Sequence, residues 1–158
     1  MRKEIGIIGL GKMGSALALR LRKKGWRVVS YDTNKKGSAE SIALLAAQLK
    51  SPRIVWLMVP AGRPVDEALS HLNLEKGDIV IDGGNSYYKD SLKRAQKLAK
   101  SGVRYLDVGV SGGPVSIRQG RFALMVGGEL QAYKKVRPVL QDLSDAPAAY
   151  LGSSGAGH

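Results

Sequence analysis

The sequence predicts a doubly wound α/β fold, in which a mostly parallel sheet carries helices on both faces. Short apolar runs alternate with longer amphipathic segments along the 158 residues, which is the pattern of repeated strand–helix–strand units. The run Ile54–Val59 lacks alternation of polar and apolar residues, as is typical of strands buried on both faces of a parallel sheet. The length suits one domain with a substantial core.

Strands and helices are predicted in alternating order. The strands share apolar, mostly branched or aromatic residues between turn-forming residues. They are Glu4–Ile8, Arg27–Tyr31, Ile54–Val59, Asp78–Ile81, Tyr105–Val108, Phe122–Val126 and a short one at Ala148–Leu151. The helices share an apolar stripe at helical spacing. They are Lys12–Lys24, Ser38–Leu49, Pro64–His71, Ser91–Ser101 and Gln131–Leu143. Gly25 ends the first helix, and Ser38 is expected to cap the second.

Composition excludes several classes of protein. The chain has no cysteine, which excludes a disulfide framework, a thiolate zinc site and a cysteine nucleophile. Its two histidines, His71 and His158, make a metal site unexpected. The longest apolar runs are far shorter than the ~20 residues that span a bilayer, and the amino terminus lacks the apolar region of a signal peptide. We therefore expect a cytoplasmic protein with no membrane partner.

The chain is strongly basic. Its 25 Lys and Arg against 13 Asp and Glu give a net charge of +12, which suits nucleic acid, a membrane surface or an anionic small molecule. The basic residues fall in short clusters on predicted helix faces and ends, and the few aromatic residues do not interleave with them. We expect a solvated surface and no nucleic-acid partner. A basic module of this fold that binds nucleic acid or a protein is the least favoured alternative.

A pattern of three glycines, G-x-G-x-x-G, begins directly after the first strand and runs into the first helix. In this context the pattern predicts a Rossmann-like dinucleotide site. Gly9 takes the tight turn, Gly11 lets the pyrophosphate approach the backbone, and Gly14 lets the helix pack on the strand. The amino end of the helix offers free N–H groups to the phosphates.

The choice of cofactor is indicated by Asp32, which follows the second strand 18 residues after Gly14. A carboxylate at this place accepts hydrogen bonds from the ribose hydroxyls of adenosine and repels a 2′-phosphate. NAD is therefore the expected cofactor. NADP stays open because Lys35 and Lys36 could neutralise part of a phosphate charge.

Two further segments follow predicted strands at their carboxyl ends, where ligands bind in open α/β sheets. One runs from Asp82 to Ser91 with the sequence DGGNSYYKDS, and the other from Leu106 to Pro114 with the sequence LDVGVSGGP. Glycine backbone combined with Asn and Ser side chains suits a polyhydroxy acid. Each segment alone would read as a turn, but two after neighbouring strands favour a polar cleft.

Through these segments the sequence resembles the 6-phosphogluconate dehydrogenases, which belong to the β-hydroxyacid dehydrogenase superfamily. The resemblance runs from residue 5 to residue 158. The stretch Asp82–Ser86, together with Tyr88, Asp90 and Ser91, is close to a signature of these enzymes. The stretch Ser111–Gly113 is shared with 3-hydroxyisobutyrate dehydrogenases, so a domain of that type is an alternative. In carrying an acidic residue at position 32, the sequence resembles the NAD-preferring members of the family.

The resemblance implies two sets of binding residues. The cofactor-binding residues it implies are Gly9, Leu10, Gly11, Met13, Gly14, Asp32, Val59, Pro60, Ala61 and Asn85. The substrate-binding residues it implies are Asn85, Ser111, Gly112 and Gly113. Asn85 matches a residue between nicotinamide and substrate and would support the chemistry, whereas no residue of this chain matches a catalytic one.

The resemblance also implies a reaction, the oxidation and decarboxylation of 6-phosphogluconate to ribulose 5-phosphate with NAD(P). The family uses a Lys as base and a Glu as acid on a helical second domain, and Lys89, expected in an exposed turn, is a poor substitute. We expect residues 1–151 to form a dinucleotide-binding domain and residues 152–158 a Gly/Ser-rich tail leading to a helical domain absent from this chain. The chain alone is expected to be inactive, and the full-length protein to be a homodimer.

Overall fold

Strands and helices alternate along residues 2–158, which a computed structural model describes; Met1, the first residue of the predicted dinucleotide-binding domain, lies outside the described residues. The strands are β1 (Glu4–Ile8), β2 (Arg27–Tyr31), β3 (Ile54–Leu57), β4 (Ile79–Asp82), β5 (Arg104–Ser111), β6 (Ala123–Gly127) and β7 (Ala149–Gly152). The helices are α1 (Lys12–Lys23), α2 (Ile42–Ala47), α3 (Arg63–His71), α4 (Tyr88–Ala99), α5 (Pro114–Gln119) and α6 (Leu130–Leu143).

The strands form one sheet in the order β2-β1-β3-β4-β5-β6-β7. The first five strands of this order run parallel, β6 is antiparallel to β5, and β7 is parallel to β6. The predicted mostly parallel, doubly wound sheet is therefore confirmed. Its parallel part gathers the carboxyl ends of β1 to β5 at one edge, where the glycine loop and both polar segments also lie.

The core has two halves, one on each face of the sheet. Ile5 and Ile7 of β1 belong to the half that contains Leu17 of α1, whereas Ile8 belongs to the half that contains Val65 of α3. Successive residues of one strand thus enter opposite halves, which is why the strand sequences are apolar without alternation.

The second helix differs from its prediction because the wrong serine was assigned as its cap. The helix begins at Ile42, and the side chain of Ser41 accepts a hydrogen bond of 3.0 Å from the N–H of Leu44. Ser38 instead accepts a bond of 2.8 Å from the N–H of Ser30, at the end of β2. A hydrogen bond to the end of the preceding strand, eight positions away, therefore takes Ser38 out of its predicted capping role.

The short helix α5 was not predicted. It has six residues, starts with Pro114 at its first position and ends at Gln119, directly before Gly120, whose φ is +73°. Of its residues Ile117 alone is buried, so the apolar stripe that would indicate a helix is missing. Within residues 2–158 no helix is both long and apolar enough to span a membrane.

Candidate functional site

A cleft of about 1290 Å³ lies along the carboxyl ends of the parallel strands. Loops after β1, β2, β3 and β4 line it, together with the carboxyl-terminal part of β5 and residues 157–158. Most of the predicted cofactor residues line it too. They are Gly9, Gly11, Met13, Gly14, Asp32, Val59, Pro60, Ala61 and Asn85. One cleft therefore brings together the glycine loop and Asn85, which lie on different strand–loop units.

The glycine turn has the geometry that its sequence predicts. Gly9 has a φ of +100°, and its N–H donates to the carbonyl of Tyr31 at 2.8 Å. A Cβ on Gly14 would collide with the carbonyl oxygen of Gly9, so only glycine lets α1 pack this closely. At Gly11 a Cβ would meet no atom within 4 Å from the described residues beyond its chain neighbours. The open space beside Gly11 lies at the amino end of α1, where unpaired N–H groups favour anions.

Asp32 is held from within the protein by three hydrogen bonds. One carboxylate oxygen accepts from the N–H of Leu10 at 2.6 Å, and the other from those of Asn34 at 2.8 Å and Lys35 at 3.0 Å. Burial alone would raise the pKa of this carboxyl, but the three N–H donors and the nearby Lys35 charge outweigh burial and lower the pKa below its ordinary value. An ionised carboxylate has about four acceptor positions, so about one is left for a ligand hydroxyl.

Leu10 is buried, and its backbone holds the glycine turn through two hydrogen bonds. Its N–H is used by Asp32, and its carbonyl oxygen accepts from the hydroxyl of Ser15 at 2.7 Å. It is not among the residues that line the cleft. In this structure Leu10 therefore joins β1 to β2, and its predicted contact with a cofactor stays a prediction.

The loop after β4 is held by Asp82, which is fully buried. Its carboxylate accepts from the N–H of Gly84 at 3.0 Å and from the hydroxyls of Ser86 at 2.7 Å and Tyr105. Asn85 lies between two of these anchored residues and is exposed. Asp82 thus fixes the backbone on either side of Asn85 and leaves the Asn85 side chain free to meet a ligand.

The last residues of the described chain are bound to the sheet by Asp107 of β5, which is also fully buried. Its carboxylate accepts from the N–H groups of Gly155 at 2.8 Å, Gly157 at 2.7 Å and His158 at 3.1 Å. The Nδ1 atom of His158 lies 2.8 Å from the hydroxyl oxygen of Ser91 in α4. Gly157 and His158 become part of the cleft wall through these bonds.

Three glycines form a close-packed seam where this terminal segment crosses the sheet. A Cβ on Gly109 would lie 2.6 Å from the carbonyl oxygen of Gly157, and one on Gly127 would lie 2.7 Å from its nitrogen. A Cβ on Gly157 would lie 2.7 Å from the carbonyl oxygen of Met125. The terminal segment reaches the cleft only because all three positions lack a side chain.

The predicted substrate residues of the second polar segment lie outside the lining of the cleft. Ser111, Gly112 and Gly113 are exposed and are not among the residues that line the cleft, whose β5 part ends at Val110. Lys89 is exposed as predicted, although it lies in the first turn of α4. Among residues 2–158 no group of three or more His, Asp or Glu side chains is placed to hold a metal ion.

Sequence reasoning missed the buried polar residues that support the cleft. Asp82 and Asp107 are register partners on β4 and β5, and each holds a loop. The signal for Asp107 was available, because an acidic residue within an apolar strand is rarely buried without partners. Arg94 also escaped notice, since it reads as one more cation of a basic helix.

Comparison with known proteins decides the family. A family model described as the NAD binding domain of 6-phosphogluconate dehydrogenase matches residues 4–152. The chain belongs to this family. The match confirms the family that the glycine loop and the Asp82–Ser86 segment predicted.

Individual relatives agree with this assignment. The NAD(+)-dependent decarboxylating 6-phosphogluconate dehydrogenase of Bacillus subtilis (strain 168) is 38% identical, over 100% of this chain and 38% of that protein. The solved 6-phosphogluconate dehydrogenase of Plasmodium falciparum, described in complex with its cofactor NADP+ and its substrate 6-phosphogluconate, is 32% identical with a TM-score of 0.77. This match covers 98% of the present chain and 38% of the Plasmodium chain. This member of the 6-phosphogluconate dehydrogenase family thus spans well under half the length of these two relatives.

A third protein shares the fold. The 3-hydroxyisobutyrate dehydrogenase of Mycobacterium tuberculosis, solved with L-serine, matches with a TM-score of 0.89 at 24% identity. The match covers 99% of the present chain and 57% of the Mycobacterium chain. At this identity the likeness concerns the fold alone. It therefore carries no argument for the alternative of a 3-hydroxyisobutyrate-type domain.

Proposed function

We propose that residues 1–151 bind NAD in the cleft, with the pyrophosphate at the amino end of α1 and the nicotinamide near Asn85. The space at Gly11 supports this placement most directly, because a methyl-sized volume there meets no atom of residues 2–158 within 4 Å beyond the chain neighbours of Gly11. Free N–H groups at a helix start and the positive end of the helix dipole suit a pyrophosphate. Gly9, Met13 and Gly14 complete this subsite.

The adenosine end of the ligand is proposed to lie against Asp32. The remaining acceptor position of this carboxylate suits one ribose hydroxyl, and its negative charge opposes a 2′-phosphate. Val59, Pro60 and Ala61 form the neighbouring wall of the cleft. NAD is therefore the proposed preference, with NADP as the weaker ligand.

The reaction is proposed for the full-length protein. A protein of this family would oxidise and decarboxylate 6-phosphogluconate to ribulose 5-phosphate with NAD(P), and Asn85, Ser111, Gly112 and Gly113 would bind the substrate. Among the described residues that line the cleft, the single lysine is Lys12, at the start of α1 on the dinucleotide side. We therefore propose that residues 1–158 bind the dinucleotide without turning over the sugar acid. A homodimeric full-length protein and a cytoplasmic location stay predictions.

Calorimetric titration tests the proposal. NAD and NADP are titrated into the 158-residue chain with and without 6-phosphogluconate, and formation of NADH is followed at the same time. We expect NAD to bind more tightly than NADP, with no NADH formed. Tighter binding of NADP would contradict the role of Asp32, and absence of binding by either dinucleotide would contradict the proposed function.

A further inference from the structure

Arg94 is buried in the middle of α4, although its basic neighbours Lys93 and Lys97 are exposed. Its side chain is 7% exposed. The Nε atom donates to the Asp66 carboxylate at 2.8 Å, and Nη2 donates to the carbonyl of Gly62 at 3.1 Å. Gly62 and Asp66 lie at the amino end of α3, directly after the loop that forms the wall of the cleft between β3 and α3.

The other side of the Arg94 guanidinium faces the loop after β4. Its Nη1 atom lies 4.0 Å from a carboxylate oxygen of Asp82 and has no hydrogen-bond partner among residues 2–158. Asp82 binds Gly84 and Ser86, the residues on either side of Asn85. Arg94 therefore stands between the two loops that bracket the cleft, with hydrogen bonds to one and a buried negative charge of the other within reach.

Tyr105 completes the connection. Its hydroxyl donates to Asp82, and burial together with the adjacent Asp82 charge raises its pKa, while the nearby Arg94 opposes the rise. The hydroxyl therefore stays protonated and remains a donor. A buried carboxylate is stable only when paired and hydrogen-bonded, and here Tyr105 and Arg94 supply both conditions.

The two loops also pass close to each other. A Cβ on Gly84 would lie 2.7 Å from the carbonyl oxygen of Val59, so the gap between the loops has no room for a side chain at this point. From this close approach and the Arg94 geometry we propose that Arg94 is a positioning residue, which sets the spacing between loop 59–62 and the Asn85 loop. A dinucleotide held along loop 59–62 would then meet Asn85 at a fixed distance. This inference rests on the proposed function, in which Asn85 contacts the nicotinamide.

A simpler role for Arg94 would be to fasten α3 to α4. That role predicts a loss of stability that affects all ligands equally, since every contact in the cleft would loosen together. A positioning role predicts a selective loss, because ADP occupies only the glycine loop and the Asp32 side, whereas NAD also reaches Asn85. The ratio of NAD affinity to ADP affinity separates the two roles.

The experiment measures NAD and ADP binding by calorimetry for the 158-residue chain and for R94M, N85A, the double variant and K93M. We expect R94M to lower the affinity for NAD about tenfold, the equivalent of one hydrogen bond to the ligand. The affinity for ADP should fall less than about twofold. In the N85A background R94M should weaken NAD by less than about twofold, since Arg94 acts through Asn85. K93M removes an exposed cation from the same helix and should leave the affinities for NAD and ADP unchanged.

Two outcomes overturn the inference: an unchanged NAD-to-ADP ratio in R94M, or a full tenfold effect of R94M on top of N85A. If R94M does not fold by circular dichroism, D66N replaces it, because it removes the partner carboxylate and leaves Arg94 its bond to Gly62. A selective loss of NAD in D66N supports the inference, and equal losses or none overturn it. A wild-type chain that binds neither ligand overturns the proposed function instead.

Discussion

The two ends of the cleft are built in different ways. At the dinucleotide end, β1, α1 and β2 form one continuous unit, and the side-chain link that holds its turn, from Leu10 to Asp32, joins residues 22 positions apart. At the Asn85 end, Asp107 holds residues 48 to 51 positions away. The first end depends on backbone shape within a short stretch of sequence. The second depends on the buried carboxylate of Asp107, which binds a terminal segment distant in sequence.

The largest effect is expected from breaking the local end with Gly14→Val. Its side chain would meet the carbonyl of Gly9 and lie near Met58, so α1 must move away from the glycine turn. We expect loss of NAD binding and a decrease of about 1–3 kcal/mol in the free energy of unfolding, measured by calorimetry and urea unfolding. Leu19→Ala, an exposed position of the same helix, is the control. NAD binding by Gly14→Val at wild-type affinity would refute the role of this packing.

Asp107→Asn is expected to disrupt the Asn85 end of the cleft and leave the dinucleotide end intact. One carboxylate oxygen becomes an NH₂ group facing N–H donors of the terminal segment. The free energy of unfolding should fall by about 1.5–3 kcal/mol, and hydrogen exchange should quicken at Gly155 and Gly157. ADP binding should stay at the wild-type level. Weaker ADP binding by a folded Asp107→Asn would show that the two ends are not independent.

Asp32→Asn tests what the local end recognises. Removing the negative charge removes the repulsion of a 2′-phosphate, while the side-chain oxygen can still accept a hydrogen bond. The ratio of NADP to NAD affinity should rise about tenfold, which corresponds to about 1.4 kcal/mol. Calorimetry with both dinucleotides measures it. An unchanged ratio would mean that Lys35 and Lys36, rather than Asp32, govern the choice.

The smallest effect is expected from acid. The pKa of Asp32 lies below its ordinary value of 3.8 in the folded chain, and hydrogen bonding to Arg94 likewise lowers the pKa of Asp66 from 3.8. The unfolded chain therefore takes up protons first as the pH falls. The free energy of unfolding should be level above about pH 5 and decline as the pH drops through 3.8 and below, with a shallower decline in Asp32→Asn. Urea unfolding at several pH values measures both slopes.

This contrast also explains what the sequence could predict. The glycine turn, Asp32 and the alternation of strands and helices depend on neighbours in sequence, and the structure has them where expected. The roles of Asp82, Asp107 and Arg94 depend on strand register and on helix packing, which a single sequence does not reveal. The misassigned cap at Ser38 has a different cause: its hydroxyl bonds the N–H of Ser30, eight positions away, and residue type alone does not distinguish Ser38 from Ser41 as a cap.

The glycine seam restricts how this fold can change over evolution. Most crowded positions in a protein can accept a larger residue if a neighbouring side chain becomes smaller. At Gly109, Gly127 and Gly157 the nearest obstacles include backbone atoms, which no substitution can shrink. A second mutation therefore cannot rescue a side chain at any of the three, and we expect homologous chains with the same terminal crossing to carry glycine at all of them.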